Sequence, residues 1–115
     1  MPRFPEDVSI IDQKFIQMNV ATATAPRSLA GAIVNFCKEG KDVCLITIGS
    51  GPLNQAVKAC IVARGMVAPE GFDVVTQHSF RDEMIGQDIK TAIRTDVRLV
   101  PMASPHPQKS PDSAY

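Results

Sequence analysis

Residues 42–49, Asp-Val-Cys-Leu-Ile-Thr-Ile-Gly, constrain the fold more than any other stretch of the chain. The run is dense in β-branched residues, too short for a surface helix and too apolar on both faces for a sheet edge, so it reads as a central strand. A central strand needs partners on both sides and a layer packed on it, and the flanking segments must supply them. Upstream, Leu29, Ala32, Ile33, Phe36 and Cys37 recur at the spacing of a helix with one buried face. Thr24 is placed to cap that helix, Pro26 falls in its first turn, Lys38 suits its negative C-terminal end, and Gly40 stops it. Downstream, Gly49 and Gly51 permit a tight turn and Pro52 suits a helix start. There Leu53, Val57, Cys60, Ile61 and Arg64 form one stripe, while Ala56, Ala59, Ala63 and Met66 widen the apolar arc toward a second surface.

Three more segments read as strands. Residues 14–21 alternate with period two; residues 72–80 follow a turn signal at 68–71; and residues 90–100 alternate again. The resulting order, β-α-β-α-β-β, predicts an α/β two-layer sandwich in which two helices cover one face of a four-stranded sheet. The second sheet face is then wet or forms an interface. The compact domain is expected over residues 13–100. Residues 1–12 form an acidic N-terminal extension whose Val8, Ile10 and Ile11 suit a sheet edge or a subunit contact. Residues 101–115, with Pro at 101, 105, 107 and 111, are expected to be a flexible tail.

Charge and composition remove several function classes. Twelve Lys plus Arg balance twelve Asp plus Glu, so the chain lacks the bulk positive charge of a broadly basic nucleic-acid binder. The layout is uneven, because residues 13–100 hold ten basic against eight acidic groups. No apolar run is long enough to span a bilayer and the first residues lack a secretory core, so no membrane association is expected and a cytoplasmic setting is. Cys37, Cys44 and Cys60 lie inside apolar patterns, and an odd number without paired spacing argues against disulfides or zinc. His78 and His106 share no ligand spacing with them. Ser50 sits in Gly-Ser-Gly-Pro, which is not the nucleophile elbow, and no acid or histidine completes a triad. No catalytic residue, metal or cofactor is expected.

What remains is a set of polar positions around the second helix. The Gly49 and Gly51 loop either serves as a structural turn or offers backbone N–H groups to a phosphate. Asn54 and Lys58 are one helical turn apart with Gln55 beside them, which suits either a solvated face or contact with a phosphate run. Arg64, near the helix end, is placed to cap carbonyls or reach a carboxylate. Arg94 and Arg98 share a strand face with Asp96 between them, the pattern of an ion pair or of a weakly basic surface.

Residues 49–74, GSGPLNQAVKACIVARGMVAPEGFDV, resemble the bacterial stage V sporulation protein S family in the glycine loop, the LNQAVKA helix start, the ARG and the VAP-x-G turn. Weaker similarity covers PRSLAGAI at 26–33 and TAIRTDVRLV at 91–100. That family is similar to the Alba-like group of chromatin and RNA-binding proteins, which share this element order and usually form dimers. The resemblance implies a non-enzymatic regulatory protein that binds DNA or RNA as a homodimer. It further implies contacts from a loop before the first helix, where only Arg27 matches, and from a hairpin at 81–90, where Arg81 and Lys90 stand beside Asp82, Glu83 and Asp88. The alternative is a structural module that assembles through its sheet and second helix. The candidate nucleic-acid contacts are therefore Arg27, Gly49, Gly51, Asn54, Gln55, Lys58, Arg81 and Lys90.

Overall fold

The structure is a computed structural model that describes the backbone of residues 8–12 and residues 14–102 in full. The acidic first residues, most of the proline-rich segment and His106 lie outside the described residues. The sheet has five strands: β1 (Val8–Asp12), β2 (Phe15–Asn19), β3 (Asp42–Thr47), β4 (Phe72–Ile85) and β5 (Asp88–Pro101), in the order β1-β2-β3-β5-β4. Helix α1 (Pro26–Lys38) joins the parallel pair β2 and β3. Helix α2 (Ser50–Val67), followed by a single 3-10 turn at Ala68–Glu70, joins β3 to β4. Within residues 13–100 the element order is the expected β-α-β-α-β-β.

The central segment does what its composition requires. Five of the six β3 residues, Val43 to Thr47, are buried, and β3 lies between β2 and β5. Its odd-numbered side chains Val43 and Leu45 join Ile16, Met18 and Val97 beneath Leu29, Ile33 and Phe36 of α1. Its even-numbered ones, Cys44 and Ile46, join Ala92 and Phe15 in a smaller cluster on the other face. That second face is neither simply wet nor apolar. Arg94 lies over the Phe15 ring at 5.1 Å and pairs with Asp96 at 2.9 Å, so a cation and its counter-ion sit beside the minor cluster.

Four expectations need correction. The sheet has five strands rather than four, because β1 pairs antiparallel to β2 with a register shift between Ile10 and Asp12; of the two roles expected for this segment, sheet edge and subunit contact, the structure shows the sheet edge. The last two strands are longer than their apolar alternation suggested, because within the hairpin at 81–90 the acidic stretch continues the pairing to Ile85 and Asp88. Gly86 at φ +61° occupies the first of two turn positions, where a tight hairpin needs a positive φ that only glycine adopts cheaply. Thr24 does not cap α1. The cap is Ala25, and Thr24 instead accepts the Ala21 N–H at 2.9 Å in the preceding turn.

The last correction concerns which arc of α2 faces inward. The buried residues are Ala56, Ala59, Ala63 and Val67, whereas Val57 and Ile61 of the expected stripe are exposed. Alanines on the contact face let α2 approach α1 and the sheet closely, so the larger apolar groups turn outward. With two helices above five strands, α2 covers β4 only in part: Val74 packs against the core, while Phe80 farther along the strand is exposed.

Candidate nucleic-acid interface

The loop at residues 20–25 and the start of α2 are bound to one another by three features. Val20 N–H donates to the Ile46 carbonyl at 3.0 Å, which holds the loop to the end of β3. The Gln55 side-chain nitrogen donates to the carbonyls of Thr22 at 3.0 Å and Thr24 at 3.1 Å. Gly51 makes the third, since a Cβ there would stand 2.6 Å from Thr22 Oγ1. Closeness rather than its dihedrals favours glycine at this position, since a Cβ would displace the Thr22 side chain. Gly49, at φ +93°, is the cap residue from which α2 departs, and the helix begins at Ser50 rather than at Pro52.

This locking brings both helix starts to one corner. Neither helix has an acidic residue in its first turn or a side chain capping its first N–H groups. The positive ends of both dipoles are thus left uncompensated by carboxylates of the first turns. Beside the start of α1, Arg27 and Lys58 line one open depression of about 450 Å³ with Ala25, Pro26, Ile61 and Val62, the α2 residues coming from the middle of that helix. Both cations are exposed, and neither forms an ion pair with another described residue. Asn54, also exposed, lies one turn before Lys58 on α2.

The remaining candidates separate from this corner. Gln55 is half-buried and its amide nitrogen is engaged by the loop, so it ties the chain leading into α1 to α2. Arg81 lies on the sheet face away from the helices, where it donates to Gln17 Oε1 at 2.8 Å and pairs with Glu83 at 3.2 Å. Lys90 is exposed directly opposite Glu83 in the hairpin. The structure therefore unites Arg27, Asn54 and Lys58, and leaves Arg81 and Lys90 elsewhere. Sequence spacing could not show the Gln55 clamp, because its partners are more than thirty positions away. Other ion pairs among the described residues include Arg64 with Asp73 at 2.8 Å, the carboxylate contact anticipated for Arg64, and Lys38 with Glu70 at 2.8 Å.

A second depression, a cleft of about 220 Å³, runs between α2 and β4, with Val57, Cys60 and Ile61 on one side and Val74 and His78 on the other. Thr95, 2% exposed, lines it, and the Thr95 hydroxyl has no hydrogen-bond partner among the described residues. The three cysteines are unpaired thiols. Burial pushes Cys37 and Cys60 up to about 11 and also raises Cys44, so none is an activated thiolate. Among the described residues no group of His, Cys, Asp and Glu is arranged to hold a metal ion, and no helix is long and apolar enough to cross a membrane.

Fold and site together define a small two-layer α/β protein in which two exposed cations, Arg27 and Lys58, line one depression between the start of α1 and the middle of α2. The model of the stage V sporulation protein S family matches residues 16–100, and the chain belongs to that family. Proteins of this family are non-catalytic.

Proposed function

We propose that the chain is a regulatory protein that binds DNA or RNA by holding backbone phosphates at the corner formed by Arg27, Asn54, Lys58 and the first turns of α1 and α2. The observation that carries this reading is that Arg27 and Lys58, exposed and without carboxylate partners among the described residues, line one depression at the uncompensated start of α1. Phosphate contacts of this kind supply affinity without reading base sequence. Gly49 and Gly51 shape the approach, Gln55 fixes it, and Arg81 and Lys90 contribute through the hairpin when the ligand is long enough to reach both. The setting on this reading is the cytoplasm, where three unpaired thiols remain reduced.

The test is titration of the protein with duplex DNA and with single-stranded RNA at low and moderate salt. Binding that weakens as salt rises is expected, and replacing Arg27 and Lys58 together by Ala should reduce the salt slope for duplex DNA by about 2 in log-log terms. Absence of binding to either polymer at low salt refutes the reading.

One observation also favours assembly of the chain with itself. Val57, Ile61, Phe80, Met84 and Ile89 are large apolar side chains left on the surface, and a homodimer is the simplest state that covers such groups.

A further inference from the structure

β4 is the outer strand of the sheet, and its pairing with β5 runs from Phe72 to Ile85 without a shift. Between Val74 and Phe80 it contains no proline, no lysine and no bulge, and His78 is its single ionisable group. Open edges in native proteins are ordinarily shortened, bent or charged against unwanted pairing. This one is long, regular and neutral through its middle. Beside it, Ile61 is 64% exposed and Val57 44% exposed on α2, and Phe80 at 82% carries the apolar surface onto the strand. Unpaired backbone and uncovered side chains thus meet along one border.

We propose that a second copy of this chain covers that border, by antiparallel pairing of β4 with β4 about a two-fold axis at Gln77. A two-fold axis perpendicular to the sheet keeps each face of one strand with the same face of the other. Centred on Gln77, the strand is complementary to itself. Asp73 stands opposite Arg81, Val74 opposite Phe80, Val75 opposite Ser79 and Thr76 opposite His78. Centring on His78 instead sets Asp73 against Glu83 and Val74 against Asp82, so like charges meet and an apolar group faces a carboxylate. Centring on Thr76 leaves Arg81 opposite Gly71, beyond the strand. In the Gln77 register both helix layers lie on the same side of a continuous ten-stranded sheet. The α2 helices then flank the axis, with Val57 and Ile61 of each copy turned toward the border and the cleft over Thr95 closed from outside.

This interface rests on reading the chain as a homodimer and is independent of phosphate binding. The test uses the full chain. Directly opposed residues in an antiparallel pair have Cα atoms about 4.5 to 5.5 Å apart, within the range of a disulfide. Gln77→Cys should therefore give a reducible covalent dimer on mild oxidation. Ser79→Cys should not, because residue 79 lies about 13 Å from its own counterpart in this register. In parallel, the double variant Val75→Lys with Ser79→Lys places lysine opposite lysine at two points, and should weaken dimerisation about tenfold or more by light scattering. Val75→Lys with Ser79→Glu places opposite charges at the same points and should retain the dimer. A native chain that is monomeric at every concentration overturns both the homodimer and this interface. A dimer that persists in the double-lysine variant, or that cross-links at Ser79→Cys and not at Gln77→Cys, overturns the interface alone.

Discussion

On the proposed reading, Gln55 serves the binding surface without touching what binds. Its amide nitrogen donates to two loop carbonyls, and that loop leads directly into Arg27. Gln55→Leu keeps the volume and removes both hydrogen bonds. The expected outcome is a loss of about 1 to 3 kcal/mol in stability, together with weaker nucleic-acid binding although Arg27 and Lys58 are retained. Thermal melts and the same titration check it, and unchanged affinity would remove the positioning role. Gly51→Ala forces the contact with Thr22 Oγ1 to open and should cost about 1 to 3 kcal/mol as overpacking does.

The thiols give a prediction with a sign. Cys37 and Cys60 release their protons near 11 in the folded chain, against an ordinary thiol value of 9.0 when it is unfolded. Between those values the folded state holds more protons than the unfolded one, so this contribution to stability falls as pH rises through the window and is constant below it. The urea midpoint should decline from pH 9 toward 11, and the decline should be shallower in Cys60→Ala than in the native chain. Equal slopes in the two proteins count against a buried neutral thiol at this position.

Among the elements, the order and the central strand were legible because β3 has apolar residues on both faces and α1 has them on one. α2 was harder to read. Apolar residues surround most of its circumference, so periodicity identified a helix without selecting the inward arc. Side-chain volume decides it, since Ala56, Ala59 and Ala63 permit the close approach that Val57 and Ile61 would block. Ala59→Leu should accordingly cost about 1 to 3 kcal/mol, while Ile61→Ala should change the stability of the dissociated chain by less than about 0.5 kcal/mol. Chemical denaturation of both variants at low protein concentration separates the two cases. The hairpin was misjudged for a related reason. Asp82, Glu83 and Asp88 look like loop residues, yet solvent-facing strand positions near a tight turn accept them. The candidate site was half legible: types and spacing marked Asn54 and Lys58, but only the folded loop brings Arg27 to them and takes Arg81 away.

For the molecule as a whole, zero net charge conceals a segregated surface. Several of its cations are matched by carboxylates, as Arg64, Arg81 and Arg94 are, whereas Arg27 and Lys58 are not. Such a protein should bind phosphate locally without the indiscriminate attraction of a basic domain. If two copies share the β4 border, folding and association are linked, and the melting temperature should rise with protein concentration. In the double-lysine variant at residues 75 and 79 the same rise should need about tenfold or more protein.

The two margins of the sheet differ in a way that governs how far such association can go. β1 is five residues long and slips register between Ile10 and Asp12, whereas β4 runs fourteen residues in unbroken register. A molecule with two good margins would add copies without limit and grow into a fibre. With one good margin and one poor one, the first pairing consumes the only adhesive side, and growth terminates at two. Residues 8–12 lie outside the family match at 16–100, so on the proposed pairing the margin left free after two copies join is a strand from outside the matched residues.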